Sequence, residues 1–258
     1  MRTSDLFGVP VAAATMDDAL RLVDDAIAAR RRLQIGVVNA AKLVAMRRSD
    51  ELRKDVLSSD VILADGAAVV WASRILGRPL PERVAGIDLM HGMFARGDRR
   101  GYRVYCLGAK PAVLDRALAW IRREHPGVTI AGSHHGYFSQ ADEPAVFADI
   151  VRAKPDILLI AITSPAKERF LARWSPQLEV PVCHGVGGSF DVIGGLVRRA
   201  PALWQRAGLE WLYRVLQEPR RLAGRYLKTN VAFALMVAAE WWRQVAGRAG
   251  TRPQQTGA

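Results

Sequence analysis

The chain has 258 residues, of which 50% are hydrophobic, and this composition excludes a disordered polymer. Lys and Arg number 37 against 25 Asp and Glu, a net charge of +12 at pH 7, and +8 of this charge lies in residues 196–258. A C-terminal quarter this basic favours an anionic partner, which the charge alone leaves open as nucleic acid, a membrane surface or a phosphorylated substrate.

Three features bear on the cellular compartment and on membrane insertion. Cys106 and Cys183 lie in apolar runs typical of buried strands, which excludes a disulfide framework and favours the reducing cytoplasm. The N-terminal segment lacks the sustained apolar run of a signal peptide. The longest apolar run near the C terminus, residues 231–239, has about half of the roughly 20 residues that a spanning helix needs. We therefore do not expect an integral membrane protein.

Along residues 1–195, short apolar runs rich in β-branched residues alternate with helical patterns. Thr15 is a typical N-cap and predicts a helix over 16–30, and Pro111 predicts the start of another over 111–124. This alternation predicts an α/β fold: a Rossmann-like, mainly parallel sheet with helices on both faces. The predicted strands are 33–38, 61–64, 102–107, 128–132, 157–162 and 182–186, and the further helices are 142–153 and 165–174.

From about residue 196 the strand signal ends, and the sequence predicts two or three helices that carry four of the seven tryptophans among arginines. We divide the chain into a Rossmann-like core (1–195), a basic, Trp-rich, membrane-associating helical appendage (196–247) and a disordered tail (248–258). Aromatic residues interleaved with basic ones can stack on nucleic-acid bases. An apolar stretch with tryptophans at one end fits a helix in the membrane interface better.

Ligands of such sheets bind beyond the carboxyl ends of the strands, so the residues that follow the predicted strands are the candidates. Asp65 follows the strand 61–64 and precedes a glycine. It is either part of an Asp-Gly turn, which composition alone favours, or a carboxylate that accepts a proton from a sugar hydroxyl. Asn39 follows the preceding strand and is likewise either a helix cap or a ligand-binding group.

Other patterns exclude common cofactors. Glycines are frequent over residues 185–195, but no G-x-G-x-x-G motif opens a helix and no P-loop motif occurs, so neither NAD binding nor a P-loop site is supported. His134 and His135 are adjacent, which on a strand directs them to opposite faces, and no spacing completes a metal site. Without an Asp-x-Asp pair to hold a divalent ion, a bound nucleotide diphosphate must be neutralised by cations of the protein. The candidates in the appendage are Arg198, Arg199, Arg206, Arg214, Arg220, Arg221 and Arg225.

Arg83 and Asp88 lie in the segment PERVAGIDLM, before an apolar helix. A guanidinium in a loop can grip a phosphate with paired donors, or it can simply be solvated. Asp88 is equally explained as an acidic residue in the first turn of a helix. Spacing alone leaves both alternatives open.

Taken in order, the motifs of the chain resemble the WecG/TagA/CpsF family of bacterial glycosyltransferases over about residues 6–227. The stretch that starts at Arg198 and contains GLEWLYR is the most distinctive. The motifs are ADGAAVV (64–70), ERVAGIDLM (82–90), VYCLGAK (104–110), GYF (136–138), SPAKERF (164–170), GVGGSFDVIGG (185–195) and RRAPALWQRAGLEWLYRVLQEPRR (198–221).

The resemblance implies transfer of a sugar from a UDP-sugar to an undecaprenyl-diphosphate-linked sugar, with inversion and without a metal or cofactor. Such a reaction builds bacterial exopolysaccharide, cell-wall polymer or surface antigen, on the cytoplasmic face of the membrane. The resemblance also implies that the appendage helps to close the site and to reach the membrane.

The same resemblance assigns roles to individual residues. It implies that Asp65 is the catalytic base and that Asn39 and Arg83 lie near the donor. It also implies that Arg214 and Arg221 contact the diphosphate, with Arg220 or Arg225 as the alternatives. We add Asp191, in the glycine-rich segment, to the substrate-binding residues.

One position departs from the family pattern G-x-P-x-Q-E. Lys167 stands at the glutamine, before Glu168, and Thr163 stands at the glycine. A lysine at this substrate-binding position adds charge to the diphosphate site or pairs with Glu168. The departure leaves the donor sugar open.

The expected partners are therefore a UDP-sugar, a polyprenyl-diphosphate-linked acceptor and an anionic membrane surface, with nucleic acid excluded. The acceptor sugar, the polymer and the oligomeric state stay open. The alternative is a non-catalytic module that binds nucleotide sugars or nucleic acid.

Overall fold

The computed structural model describes residues 1–249, without the side chains of residues 221 and 247–249. Over this range the strands are β1 (Thr3–Leu6), β2 (Val9–Ala12), β3 (Leu33–Val38), β4 (Val61–Ala64), β5 (Arg103–Gly108), β6 (Thr129–His134), β7 (Ile157–Ala161) and β8 (Val182–Gly185). The helices are α1 (Met16–Ala28), α2 (Ala40–Met46), α3 (Asp50–Leu57), α4 (Ala67–Ile75), α5 (Gly86–Arg100), α6 (Pro111–Glu124), α7 (Glu143–Ala153), α8 (Ala166–Trp174), α9 (Ser189–Ile193), α10 (Ala202–Arg206), α11 (Glu210–Gln217) and α12 (Pro219–Ala249).

The strands form one sheet in the order β1-β2-β4-β3-β8-β7-β5-β6. β1 and β2 pair antiparallel as a hairpin, and every other neighbouring pair is parallel. The predicted fold class, an α/β fold on a mainly parallel sheet followed by C-terminal helices, is confirmed.

Both faces of the sheet are buried because successive strand residues point to opposite sides. On β7, Ile157 and Leu159 pack into one hydrophobic cluster, with residues of α1, α5, α6 and α9. Leu158 and Ile160 point to the opposite face, where α7 and α8 cover them. Next to these, α2, α3, α4 and α12 cover the half of that face nearer to β1. The layered arrangement leaves the strand ends as the open edges of the core.

Most predicted elements are found within one or two residues of their predicted bounds. β3, β4 and α6 have the predicted bounds. Thr15 caps α1 with a reciprocal capping box, in which its hydroxyl accepts from the Asp18 amide and the Asp18 carboxylate accepts from the Thr15 amide. The β1–β2 hairpin was not predicted. Its strands have only four residues each, and its turn places Phe7 at a positive φ of 60°, which is uncommon for an aromatic residue.

Between residues 196 and 249 the chain forms three helices, and the last of them, α12, has a buried side. Phe233, Met236 and Val237 pack into the cluster formed with α2, α3 and α4. In the part of the chain described, no helix is long and apolar enough to cross a membrane. The first two residues of the predicted disordered tail belong to α12, and residues 250–258 lie outside the described residues. The domain boundary at 195/196 stays a prediction.

A cluster of buried charges lies between α2 and α8. The Glu168 carboxylate accepts from Lys42 Nζ at 2.7 Å, and Lys167 Nζ lies 3.4 Å from the same oxygen. Burial and the charge of Lys42 lower the pKa of Lys167 to about 8. Burial alone would raise the pKa of Glu168, but the two lysines lower it to about 2. One carboxylate is therefore the shared ion-pair partner of two buried ammonium groups.

We expect Met236→Ala to lower the free energy of unfolding by about 2–5 kcal/mol, because a buried methionine is replaced by a cavity. Urea unfolding followed by circular dichroism measures the change. Leu235→Ala is the matched control, since Leu235 is the next residue of α12 and is 66% exposed. Its effect should stay within about 0.5 kcal/mol. Equal effects of the two substitutions would contradict the packing of α12 on the core.

The pKa of Glu168 predicts a pH-dependent stability. Between pH 4.5, the ordinary pKa of this carboxyl, and its folded value of about 2, the unfolded state binds more protons, so stability falls as the pH is lowered through this range. We expect Glu168→Gln to lose about 3–5 kcal/mol at pH 7, where two buried lysines are left without their counter-ion. Below pH 4.5 the gap between wild type and variant should narrow.

Chemical denaturation at a series of pH values measures this gap. Glu124→Gln is the control, because Glu124 pairs with Arg123 on the surface, where such pairs contribute little. If the difference in the free energy of unfolding between wild type and Glu168→Gln is constant from pH 7 to pH 2, the pKa of Glu168 is not lowered in the folded state.

Candidate active site

Four of the predicted site residues line one cavity of about 370 Å³. Its floor is the edge of the sheet where β3 and β4 end, and its other walls are α4, α11 and α12. The four residues are Asn39, Asp65, Arg83 and Arg214. The polar groups that follow neighbouring strands therefore converge as predicted, and the C-terminal helices cover them.

Asn39 connects the end of β3 to α2. Its Oδ1 accepts from the Lys42 amide at 3.0 Å, which makes it the N-cap of α2. Gly66, after β4, approaches it closely, because a Cβ atom at position 66 would lie 3.2 Å from the Asn39 Cβ. Asn39 is thus the cap of α2, and because it also lines the cavity it is accessible to a ligand.

Asp65 is held by backbone groups on two sides. Its amide donates to the Val38 carbonyl at 2.9 Å, and its Oδ1 accepts from the amide of Gly86, the first residue of α5, at 2.8 Å. No donor among the described residues contacts Oδ2. The carboxylate is therefore oriented by one oxygen and can accept a proton with the other.

A buried histidine supports this arrangement from behind. His184, on β8, has its Nε2 3.2 Å from the Gly86 carbonyl, the nearer of its two carbonyl neighbours. Burial lowers its pKa to about 4, so the ring is neutral at pH 7. A neutral ring carries one N–H, and in the tautomer with the proton on Nε2 it donates to the carbonyl of the same Gly86 whose amide holds Asp65.

An ionic network joins the core to α11. Arg83 donates to Glu210 at 2.7 Å and to Asp88 at 3.3 Å. Arg199 contacts the same two carboxylates, Asp88 at 2.5 Å and Glu210 at 3.5 Å. Burial alone would raise the pKa of Glu210, but the Arg83 hydrogen bond and the surrounding arginines lower it. An anion that binds to Arg83 must share its guanidinium with these carboxylates.

The turn before α11 also lies close to the core. Gly208 has a φ of +72°, a conformation that favours glycine. A Cβ atom there would lie 2.7 Å from the Ala67 Cβ and 2.9 Å from the ring of Trp71. The absence of a side chain therefore lets the turn pack directly against α4 and close the cavity.

Arg214 lies between this cavity and a second one. The second cavity, of about 170 Å³, is lined by Asp191, Arg214 and Arg225 among others. Burial raises the pKa of Asp191, against the charges of Lys110 and Arg214. The structure thus places Asp191 beside Arg214 but not in the wall of the first cavity. The side chain of Arg221 lies outside the described residues.

Lys167 lines neither of the two cavities. It belongs to the buried cluster with Lys42 and Glu168, and its aliphatic stem packs where a Cβ atom on Gly185 would lie. Of the two alternatives for this lysine, the structure therefore shows the pairing with Glu168.

Several residues of the cavity were not singled out from the sequence. They are Trp71, Glu210, Trp211, Tyr226, Thr229, Asn230 and Phe233. Glu210 and Trp211 are part of the GLEWLYR motif, which was the available signal for them. Among the residues described, no group of three or more His, Cys, Asp or Glu side chains could hold a metal ion.

Comparison with known proteins gives a relative and a family. The N-acetylglucosaminyldiphosphoundecaprenol N-acetyl-beta-D-mannosaminyltransferase of Bacillus spizizenii (strain ATCC 23059 / NRRL B-14472 / W23) is 38% identical over 164 residues. The match covers 64% of the chain and 63% of that relative, less than two thirds of its length. The family model described as "Glycosyl transferase WecG/TagA/CpsF family" matches residues 4–247. Because this match spans nearly the whole sequence and agrees with the motifs, the chain belongs to the WecG/TagA/CpsF family of glycosyl transferases.

Proposed function

We propose that the protein transfers a sugar from a UDP-sugar to an undecaprenyl-diphosphate-linked sugar, with inversion of configuration and without a metal ion. Family membership indicates a glycosyltransferase. The name of the relative specifies an acceptor sugar that is linked to undecaprenyl diphosphate. The observation that carries the proposal is the oriented carboxylate of Asp65 in a cavity large enough for a small-molecule substrate.

In this mechanism Asp65 acts as the general base. Its Oδ2 accepts the proton of the acceptor hydroxyl while the hydroxyl oxygen bonds to the anomeric carbon of the donor sugar. The bond from that carbon to the UDP oxygen breaks as the new bond forms, and UDP leaves with the electron pair. Attack from the face opposite to UDP inverts the configuration. The Gly86 amide, which holds Oδ1, keeps the carboxylate oriented during the transfer.

The charge that develops on the leaving diphosphate needs cations, and arginines of the protein supply them in this proposal. Arg214 lines both cavities, and Arg225 lines the second. Arg83 contributes a third guanidinium, which it shares with Asp88 and Glu210. Fixed positive groups at the point where charge grows stabilise the transition state more than the bound substrate. Asn39 and Asp191 complete the proposed contacts with the substrates.

The donor sugar is not assigned. The relative's name contains an N-acetylmannosaminyl group, but Lys167 replaces the glutamine of the family pattern in this chain. Lys167 is buried and pairs with Glu168, and this pairing does not identify the sugar. Transfer measured with several UDP-sugars distinguishes the donors, and it separates this proposal from that of a non-catalytic binding module.

We further propose that the protein is peripherally attached to the inner face of the cell membrane through α12. One side of this helix is apolar and exposed at Leu227, Val231, Leu235, Trp242 and Val245. Basic residues Arg225 and Lys228 lie on the same helix. An exposed apolar stripe near basic residues is the pattern of a helix that lies in the interface of an anionic membrane.

Asp65→Asn should lower kcat for sugar transfer about 10²–10⁴-fold, the usual contribution of a general base, while the affinity for UDP stays within about twofold. The amide oxygen of asparagine can still accept from Gly86, so the fold should be preserved. Transfer is measured with a UDP-sugar and a polyprenyl-diphosphate-linked acceptor in buffer that contains EDTA.

Asp60→Asn is the matched control, because Asp60 precedes β4 at its opposite end and accepts from the Gln34 amide at 2.8 Å. It should keep wild-type transfer. Undiminished transfer by Asp65→Asn would exclude Asp65 as the base. Transfer that EDTA abolishes and manganese restores would exclude the metal-independent mechanism.

The membrane proposal predicts that Leu235→Asp with Trp242→Asp weakens binding to anionic vesicles at least about tenfold, because each buried large apolar side chain contributes roughly 1.5–3 kcal/mol. Vesicle co-sedimentation measures this binding. The control pair is Leu57→Asp with Val151→Asp, two exposed apolar positions on α3 and α7. If both pairs bind vesicles as the wild type does, α12 is not the attachment surface.

A further inference from the structure

An apolar groove of about 440 Å³ runs along the surface between α4 and α12. Every residue that lines it is apolar or aromatic, and no charged side chain of the described residues enters its wall. Trp71 and Ile75 form the α4 side, and Phe233, Val237 and Trp241 form the α12 side. Ile75 is 57% exposed. Such a groove is costly to leave open to water, since apolar area in contact with water lowers stability.

The groove is continuous with the candidate active site. Ala68, Trp71, Phe233 and Ala234 line both the groove and the 370 Å³ cavity that contains Asp65. The cavity has polar and charged walls at its inner end, whereas the groove has none. A ligand that crosses this boundary must therefore be polar at one end and apolar at the other.

We propose that the groove holds the first isoprene units of the acceptor, so that the sugar diphosphate occupies the cavity and the polyprenyl chain leaves along α12. The inference rests on the proposed function and extends it to the lipid part of the substrate. Each CH₂ group of a hydrocarbon chain that is removed from water adds to the affinity, so the groove would select acceptors by the presence of a chain.

The surroundings of the groove support this occupant over a second copy of the protein. Ala238 is exposed and lines the groove next to the apolar stripe of α12. The groove therefore opens at its outer side onto the surface that we assign to the membrane, from which a polyprenyl chain would enter. At its inner side it opens onto the catalytic carboxylate. A protein partner would need neither connection.

The test compares two substitutions at adjacent residues of α12. Ala238→Trp fills the groove, whereas Ala239→Trp adds the same side chain at an exposed position that does not line it. Thermal unfolding checks that both variants fold. The probe is radiolabelled geranylgeranyl diphosphate, kept below its micelle concentration and measured by equilibrium dialysis, with inorganic diphosphate as the headgroup alone.

We expect the wild type and Ala239→Trp to bind geranylgeranyl diphosphate at least tenfold more tightly than inorganic diphosphate. Ala238→Trp should lose this advantage. The inference is overturned if the prenyl chain adds no affinity, or if the two variants weaken binding equally. It is also overturned if Ala238→Trp weakens binding to vesicles but not to the prenyl diphosphate, because the groove would then hold membrane lipid.

A separate assay tests the proposed function. If the wild type transfers sugar from none of the UDP-sugars, the proposed function is wrong, whatever the dialysis shows. Binding of the prenyl diphosphate without transfer would keep the groove assignment and reject the reaction. Transfer without any effect of the prenyl chain on binding would keep the reaction and reject the groove assignment.

Discussion

The candidate active site depends on the contact between α11 and the carboxyl edge of the sheet, which two arginines and two carboxylates maintain. Arg83 and Asp88 come from the core, and Arg199 and Glu210 come from the segment that covers it. The four charges sum to zero, so the partly buried network neutralises itself. Removing one member would leave a charge without its partner, which is why such networks are hard to alter singly.

The same contact explains why the site is a cavity and not an open sheet edge. Asn39 and Asp65 are placed within the core, since each follows a parallel strand and accepts from a helix amide, that of Lys42 in α2 or of Gly86 in α5. Trp211 and Arg214 reach them only because α11 lies over the edge. Gly208 allows this approach through its positive φ and its missing side chain. The floor of the cavity is thus formed by the strand ends of the core, whereas its cover depends on the packing of α11 against the core.

This difference decides what could be predicted from the sequence. The parallel strands were predictable because their residues are apolar on both faces, and the position of Asp65 and Asn39 follows from the strand ends. The capping box of Thr15 was predictable because its partner is three residues away. The partner of Arg83 is not, because Glu210 is 127 residues distant. The same limit applies to Lys167, whose position in the family motif indicated a ligand contact. In the structure it pairs with Glu168 in a buried cluster, and Glu168 also pairs with the distant Lys42.

The basic residues of the C-terminal quarter lie in different structural environments. Arg199 pairs with carboxylates in the ionic network, whereas Arg214 and Arg225 line the cavities where we propose that the diphosphate binds. Lys228 is exposed on α12, near the surface that we assign to the membrane. The net charge alone therefore could not identify the partner, because basic residues form a structural ion pair, line cavities and lie on an exposed surface.

The helix α12 has three sides with different surroundings. One side packs on the core through Met236, and the next, at Phe233 and Ala234, forms the wall shared by the cavity and the groove. A third side, at Leu235 and Trp242, is exposed and apolar. Because the helix is a rigid element, a membrane that binds the third side fixes the height and direction of the groove relative to Asp65. Attachment to the bilayer would then orient the site toward an acceptor that is itself confined to the membrane, so that the search for the lipid-linked sugar takes place in two dimensions and not in three.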